Sequence, residues 1–229
     1  MEPLSQALAS AVSEGGGRFL FFAALAALSA YALGCFNGAL LISRYILRDD
    51  VRNHGSANAG LTNFYRTFGP RWSLAVVAVD AGKMVAALQV GLLLLHASDS
   101  PLRPFVLYWC GIFCVLGHMF PVTEKFRGGK GVFSSGILTL FLDWRIALGV
   151  WALFCLLFFL TRLVSLSAMT AVAGLVPATG LVYRDPVLVG MAFCLTVLVI
   201  AAHHENLRRL LAGQEPKFHF HREKARRNT

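Results

Sequence analysis

Long apolar runs separated by short polar segments dominate the chain. Residues 19–43 carry no charged side chain over 25 positions, enough for a helix to cross a hydrocarbon core of ~30 Å at ~1.5 Å per residue. Six more apolar runs follow, at 72–95, 105–120, 132–142, 146–161, 163–183 and 187–202. The run at 132–142 is short, which predicts a thin, tilted or partly interfacial helix. The pattern predicts an all-α integral membrane protein with about seven transmembrane helices.

The first apolar run is expected to be retained in the protein. A cleaved signal peptide has a basic start, a short apolar core and a small-residue cleavage site, whereas this start is acidic and the run is long. We therefore expect one membrane domain over 1–229. It would comprise an extracytoplasmic segment at 1–18, helices within 19–202 and a cytoplasmic basic tail at 203–229.

Composition agrees with a membrane protein. Hydrophobic residues make up 56% of the chain and charged residues 14%, against about 25% charged in soluble domains. These values argue against soluble, disordered, collagenous and disulfide-stapled classes. The five cysteines all lie in apolar runs, so we expect them to be small buried side chains. No metal site or other cofactor is predicted.

Basic residues predict the orientation. With the carboxyl terminus in the cytoplasm, sixteen of the 21 Lys and Arg residues fall in inside loops or the tail, as the positive-inside rule requires. One more, Lys83, lies within an apolar run. The four outside are Arg18, Arg103, Arg145 and Arg184. This places the amino terminus outside, and it accounts for the net charge of +9 without nucleic acid as a partner.

The first inside loop, at 48–71, is rich in small and hydrogen-bonding residues. Glycine lets backbone amides approach a ligand closely, and amide nests with Ser and Asn donors suit phosphate or carboxylate. A purely structural loop is the alternative. Its candidate ligands are Ser56, Asn58, Thr62, Asn63 and Arg66.

A second polar segment, at 117–131, contains a Gly-Gly-Lys-Gly turn that is not a Walker loop, because glycine follows the lysine. Backbone amides and one ammonium converge there at a helix start, which is a natural anion site. The candidates are Gly128, Gly129, Lys130 and Gly131. Anchoring at the membrane surface is the alternative for Lys130, and a capped interfacial histidine is the alternative for His118.

Two further clusters lie at the ends of apolar runs. Ser165 and Ser167 begin one run, although a membrane serine more often packs or bonds between helices. His203, Glu205 and Asn206 close the last run, where polar groups are costly and usually functional. Because successive spans cross the membrane in alternate directions, counting the spans puts all four clusters on the cytoplasmic side. We therefore expect one cationic site that handles a phosphate-bearing molecule beside an acyl-bearing one.

Several of these segments resemble the bacterial acyl-phosphate:glycerol-3-phosphate acyltransferases (the PlsY type). The resemblance runs from about Tyr31 to Phe218. Its motifs are HGSANAGLTNFYRTFG (54–69), the Asp80/Lys83 pair, GHMFPVTEKFRGGKGV (117–132), TRLVSLSA (161–168) and HHENLRRLLAGQEPKF (203–218). It implies a seven-helix inner-membrane enzyme with a cytoplasmic active site. That enzyme transfers an acyl group from acyl phosphate to the 1-hydroxyl of glycerol 3-phosphate, giving lysophosphatidic acid and phosphate.

The resemblance also implies site residues. They are Ser56, Arg66, Lys130, Ser165 or Ser167, His203 and Asn206, with Asn58, Thr62, Asn63 and His118 at matching motif positions. The chain departs from the family pattern at Asn37, Ala57, Leu61, Met84, Ala168 and Ala202. These changes are typical of a divergent paralogue, in which the donor or the acceptor can differ.

An acyl phosphate is already activated, so we expect orientation and charge neutralisation without an acyl-enzyme. Arg66 and Lys130 would hold phosphate, while Ser56, Asn206 and one third-motif serine would orient the acceptor or polarise the carbonyl. The hydroxyl proton would pass to His203 or to the donor phosphate. Alternatives are a transporter or flippase of a phosphorylated or lipid solute, and a weakly active paralogue that binds lipid precursors. The predicted partners are the two substrates and membrane lipids, with no obligatory protein partner.

Overall fold

The computed structural model describes residues 4–219, which fold into ten α-helices. A π-helical turn, Ile42–Ile46, continues α2, and 3₁₀ turns occupy Val51–Asn53 and Val122–Glu124. No β-strand occurs in this part of the chain. The helices are α1 (Leu4–Gly34), α2 (Gly38–Leu41), α3 (Leu61–Phe68), α4 (Pro70–Leu94), α5 (Arg103–Met119), α6 (Val132–Leu142), α7 (Trp144–Thr161), α8 (Val164–Tyr183), α9 (Pro186–Ala201) and α10 (His204–Leu211).

Six of the seven predicted apolar runs each coincide with one helix, whereas the first, 19–43, covers the end of α1, a break at residues 35–37, α2 and the start of the π-helical turn. Within residues 4–219, five segments are long and apolar enough to cross a membrane: Gly15–Ile46, Pro70–Leu94, Arg103–Glu124, Trp144–Thr161 and Val164–Tyr183. A sixth arises if α9 and α10, bent by 65°, are counted as one span, and α6 is a shorter apolar helix. The all-helical membrane class is therefore confirmed. The count of seven spans and the orientation of the termini stay predictions.

The structure does not follow the predicted boundary at residue 18 between an external segment and the first helix, and it describes only part of the predicted tail. Helix α1 already begins at Leu4, with a kink at Gly15, so residues 4–18 of the expected external segment are helical and continue into the first span. The basic tail is described as far as residue 219. Its last ten residues lie outside the described part.

Helix α5 lies at the centre of the bundle, where it contacts α1, α4, α6 and α9. Leu107, Tyr108 and Leu138 are fully buried there. The backbones of α1 and α5 approach so closely that a Cβ at Gly34 or Gly117 would overlap a carbonyl of the other helix. Small residues permit this close contact between helices in lipid.

Helix α6 explains how a short apolar segment fits the bundle. The guanidinium of Arg103 donates to the carbonyl of Phe141 at 3.2 Å, and the Tyr183 hydroxyl donates to that of Leu142 at 2.6 Å. The carboxyl end of α6 is thus level with the start of α5 and the end of α8. Because eleven residues rise only ~16 Å, the start of α6 lies inside the bundle.

The predicted Asp80–Lys83 pair is present, with 2.7 Å between its charged atoms. The Lys83 ammonium also donates to the carbonyl of Phe36 at 3.1 Å and to Nδ1 of His118 at 2.7 Å. Asp80 accepts from the amide of Gly38 at 3.0 Å. The buried pair therefore connects α4 with α5 and with the link between α1 and α2.

One expectation about the cysteines is wrong. Cys35, Cys110 and Cys114 are buried, but Cys155 and Cys194 are exposed. They lie on α7 and α9, which have long apolar surfaces outside the bundle. A membrane helix faces lipid as readily as protein, so an apolar sequence alone does not indicate burial.

Candidate active site

The four predicted clusters meet around a single cavity of about 770 Å³, within the ~300–1,000 Å³ typical of ligand sites. The polar part of its wall comes from the first loop and α3, the turn before α6, the start of α8 and the start of α10. Eleven predicted site residues line it: Ser56, Asn58, Thr62, Asn63, Arg66, His118, Lys130, Gly131, Ser165, His203 and Asn206.

Four predicted site residues are not on the cavity wall. The amides of Gly128 and Gly129 donate to the carbonyls of Met119 and His118, each at 3.0 Å, so they close the turn instead of facing a ligand.

Ser167 is buried, and its hydroxyl donates to the carbonyl of Leu163 at 2.9 Å. Glu205 is exposed on the outer side of α10.

Asn63 holds the first loop together. Its amide nitrogen donates to the carbonyls of Val51, His54 and Asn58 at 3.0–3.1 Å, and its oxygen accepts from the amide of Ser56 at 3.1 Å. Since its side chain is buried and saturated, Asn63 shapes the loop that presents Ser56 and Asn58 to the cavity.

One departure from the family pattern, Asn37, has a structural explanation, whereas another, Ala57, strains the backbone. Asn37 begins α2, where its oxygen accepts from the amide of Leu40 at 3.1 Å and its nitrogen donates to the carbonyl of Ala59 at 3.0 Å. It thus fastens the first loop to the bundle. Ala57 adopts φ +54°, the left-handed region that favours the glycine usual at this position.

A hydrogen-bonded chain crosses the polar end of the cavity. The Lys130 ammonium donates to Oδ1 of Asn206, and Nδ2 of Asn206 donates to Oε1 of Glu215 at 2.7 Å. The Ser165 hydroxyl donates to the same Oε1 at 2.8 Å, and Nε of Arg209 donates to Oε2 at 2.8 Å. The predicted residues Lys130, Ser165 and Asn206 therefore share one network.

Sequence reasoning missed two members of this network, Arg209 and Glu215. Both lie in the segment 203–218 that carries the family resemblance. They follow the last span, however, where charged residues are ordinarily read as a solvated tail. Only the return of residues 214–218 over the cavity places Glu215 inside it.

Burial and the neighbouring charges in this network shift the pKa values of Lys130 and Glu215. Burial lowers the pKa of Lys130 and the nearby Arg209 lowers it further, while Glu215 and Glu205 raise it. Burial alone would raise the pKa of Glu215, but hydrogen bonds from Asn206, Arg209 and Ser165 outweigh it and the pKa falls below its usual value. Glu215 is therefore an anion that accepts hydrogen bonds from Ser165, Asn206 and Arg209.

His203 is a neutral acceptor beside this network. Its Nδ1 lies 2.7 Å from the carbonyl of Val199, which only accepts, so Nδ1 bears the proton and Nε2 is the basic nitrogen. Burial, together with the charge of Lys130, lowers the pKa of His203 to about 4. The imidazole is thus unprotonated at neutral pH.

Residues 214–218 cross the mouth of the cavity from α10 to the turn between α7 and α8. The amide of Phe218 donates to the carbonyl of Arg162 at 2.8 Å, and its ring lies 5.3 Å from that of Tyr65. The Arg66 guanidinium donates to the carbonyl of Pro216 at 3.3 Å and lies 6.0 Å from the Phe218 ring. These contacts hold Arg66 at the mouth.

The cavity continues as an apolar arm between α6, α7 and α8. Its wall includes Phe133 on α6, Trp151 and Phe154 on α7, and Val172 and Leu175 on α8. The indole of Trp151 donates to the carbonyl of Gly136 at 3.2 Å, so its only polar atom is satisfied. This arm lies at the depth of the lipid acyl chains.

The fold and the cavity together define a class of protein. A helical membrane bundle encloses one cavity whose polar end carries Arg66, Lys130 and Arg209 and whose other end is apolar. Such a cavity suits an amphipathic anion at the edge of a bilayer. Among residues 4–219, no group of His, Cys, Asp or Glu side chains is arranged to hold a metal ion.

Comparisons with known proteins all give the same family. A family model described as glycerol-3-phosphate acyltransferase matches residues 24–213. The glycerol-3-phosphate acyltransferase of Bacillus velezensis is 36% identical over 197 residues, covering 85% of this chain and 96% of that protein. The Pseudomonas fluorescens protein of the same name is 37% identical over 194 residues, covering 85% and 98%.

Two solved structures are also similar to this chain. The crystal structure of PlsY (YgiH), an integral membrane glycerol 3-phosphate acyltransferase, in its glycerol 3-phosphate form matches with a TM-score of 0.77 at 29% identity, covering 86% of this chain and 96% of that one. Its lysophosphatidic acid form matches with a TM-score of 0.74 at 28% identity, covering 86% and 95%. This chain belongs to the glycerol-3-phosphate acyltransferase family.

Proposed function

We propose that this protein transfers an acyl group from an acyl phosphate to the 1-hydroxyl of sn-glycerol 3-phosphate, releasing phosphate and lysophosphatidic acid. This step belongs to phospholipid biosynthesis. The observation that carries the proposal is the continuity of one cavity from a polar end with Arg66 and Lys130 to an apolar arm between α6, α7 and α8. A phosphate and an acyl chain are accommodated there side by side.

The proposal gives each part of the substrates a place in the cavity. The phosphates lie among Arg66, Lys130 and Arg209, whose charges offset theirs. The acyl chain extends into the apolar arm beside Trp151 and Phe154, where its burial contributes ~0.8 kcal/mol per methylene. The acyl carbonyl then lies at the boundary between the two ends, within reach of the side chains that line the polar part.

The reaction needs no nucleophile from the protein, because an acyl phosphate is a mixed anhydride. The glycerol hydroxyl oxygen forms a bond to the carbonyl carbon, and the bond from that carbon to the phosphate oxygen breaks. The hydroxyl proton passes to Nε2 of His203 or to the departing phosphate. Ser56, Ser165 and Asn206 orient the acceptor and the carbonyl.

The protein lowers the reaction barrier by positioning the two substrates and by stabilising the charge that develops. Holding both substrates in one cavity lowers the barrier by ~7–11 kcal/mol, and a fixed donor at the developing oxyanion lowers it by ~3–4 kcal/mol. Because Lys130 is half-buried on the cavity wall, its charge acts in a medium of lower dielectric constant than bulk water. Neutralisation of the leaving phosphate is its main contribution.

The proposed location is the bacterial inner membrane, with seven spans, the amino terminus outside and the cavity at the cytoplasmic face. Support comes from the basic residues, most of which lie at the cavity end of the bundle or in the tail. Both substrates are cytoplasmic or membrane-borne anions, which suits a cavity that opens there.

The test is a two-substrate assay on the purified protein. Phosphate release should require both an acyl phosphate and glycerol 3-phosphate, and a panel of acyl donors and polyol phosphates identifies the preferred pair. Lys130→Met, which removes the charge but keeps the length of the side chain, should lower kcat/KM about 10²–10³-fold.

Lys125→Met is the matched control, since Lys125 is an exposed cation in the same segment and should leave kcat/KM unchanged. Phosphate release that is independent of glycerol 3-phosphate, or a fully active Lys130→Met variant, would contradict the proposal.

A further inference from the structure

The carboxylate of Glu215 lies at the centre of the polar network although it follows the last helix. Only 7% of its side chain is exposed. It accepts hydrogen bonds from Ser165 on α8 and from Asn206 and Arg209 on α10, and its charge acts on Lys130. One anion thus connects groups from three separate segments.

This arrangement determines which atoms of Ser165 and Asn206 face the cavity. Because Nδ2 of Asn206 donates to Glu215, its Oδ1 faces Lys130 and accepts from the ammonium. Because the Ser165 hydroxyl proton is directed at Glu215, its oxygen lone pairs remain for a substrate hydroxyl. Without the carboxylate, both side chains could rotate and lose these orientations.

The same carboxylate moderates the positive charge of the cavity. Arg66 on α3, Lys130 before α6 and Arg209 on α10 line its wall. The other titratable groups of the cavity wall are Asp80 on α4, His118 on α5 and His203 before α10. Asp80 is paired with Lys83, and Glu205 lies outside the wall and acts on Lys130 through space. Of these groups, Glu215 is the hydrogen-bonded anion within the network.

We propose that Glu215 is a positioning residue for acyl transfer, which orients Ser165 and Asn206 and holds Arg209 at the cavity wall. The inference rests on the proposed function. The chain around it suits this role, since Gly213 turns with φ +66° and Phe218 is fastened to Arg162. The carboxylate is therefore held from both sides and remains in place during turnover.

The rival role is that of a place-holder. A carboxylate bound by Ser165, Asn206 and Arg209 resembles a bound phosphate, and substrate would then have to displace it. The two roles predict opposite effects on affinity. Removal of a place-holder lowers the KM for glycerol 3-phosphate and strengthens inhibition by inorganic phosphate, whereas removal of a positioning residue lowers kcat.

The experiment compares Glu215→Ala and Glu215→Gln with the wild-type protein in detergent. Glu215→Ala should lower kcat about 10²-fold, the scale expected for misplaced reacting groups. Glu215→Gln keeps the shape and one acceptor oxygen, so it should lose less, about tenfold. Neither variant should lower the KM for glycerol 3-phosphate.

The pH profile separates positioning from a merely structural role. Loss of the Glu215 charge removes an anion that raises the pKa of Lys130, whereas Arg209 still lowers it, so Lys130 should lose its proton more easily. The alkaline limb of kcat in Glu215→Gln should therefore move to lower pH. Asp99→Asn is the control, since it removes one exposed carboxylate in the loop between α4 and α5, at the far end of the bundle.

Three results would overturn the inference. An unchanged kcat in Glu215→Gln, with the same melting temperature as wild type, would show that Glu215 is not a positioning residue. A lowered KM with tighter binding of inorganic phosphate would assign Glu215 as a place-holder. A wild-type protein without turnover would remove the proposed function and this role with it, whereas the first two results leave the proposed function intact.

Discussion

At the residue scale, the two serines of the third motif have different surroundings. Ser165 lines the cavity and donates to Glu215, whereas Ser167 donates back to Leu163 within its own helix. Residues two apart lie on different faces of a helix, so only one of them can face the site. The motif alone does not show which, because that depends on how α8 is rotated in the bundle.

Ser165→Ala should therefore lower kcat about 10²-fold, as expected for loss of a donor or acceptor at the reacting centre. Ser167→Ala should stay within about threefold of wild type, because its hydroxyl serves only a local helix bond. Steady-state kinetics with saturating acyl phosphate measures both. Equal losses in the two variants would show that the effect comes from packing of α8 and not from the site.

Other residue roles follow from contacts that the sequence does not reveal. Gly128 and Gly129 were expected to offer amides to an anion, but these amides are used by the turn itself. Glu215 was not expected in the site because its approach depends on the tertiary path of residues 214–218. Local spacing identifies residue types suited to phosphate, and the fold decides which of them point inward.

At the scale of elements, apolar patterning located the long helices of the bundle, but not the short helices α3 and α10, which carry Arg66 and Asn206 and lie in segments predicted as a loop and a tail. The prediction succeeds because lipid exposure and burial both require apolar side chains over the length of a span. The same argument explains the wrong expectation for Cys155 and Cys194, since the pattern does not separate lipid-facing from buried positions. The depth of α6 also required the structure, because it follows from contacts with α5 and α8.

The close approach of α1 and α5 makes a prediction for stability. Gly117→Ala places a methyl group against the carbonyl of Tyr31, and overpacking of this kind costs about 1–3 kcal/mol. Its thermal unfolding in detergent, followed by tryptophan fluorescence, should begin at a lower temperature than in wild type. Gly149→Ala is the control, because a Cβ there meets no atom within 4 Å; identical melting curves for the two variants would contradict the packing argument.

At the scale of the whole molecule, the four clusters converge on one cavity, as counting the spans predicts. That convergence depends on α6 and α7 returning the chain to the same end of the bundle, although α6 is short. The orientation of the bundle in the membrane is the remaining part of the prediction, and it rests on the distribution of Lys and Arg.

Labelling in cells tests this orientation. In a background without Cys155 and Cys194, the exposed cysteines among residues 4–219, Lys125→Cys should react with an impermeant maleimide only in inverted vesicles. Asp99→Cys, in the loop between α4 and α5, should react in spheroplasts that retain an intact inner membrane. Reaction of Lys125→Cys in those spheroplasts would place the cavity at the outer face and contradict the account.

The central claim is that one cavity holds both substrates together, so that the acyl group passes directly between them. The most direct measurement is exchange of labelled inorganic phosphate into acyl phosphate in the absence of glycerol 3-phosphate. Direct transfer predicts that acyl phosphate stays unlabelled, because phosphate leaves the acyl group only when the acceptor takes it. Label that appears in acyl phosphate without the acceptor would reveal an acyl-enzyme, and with it a mechanism that this cavity does not require.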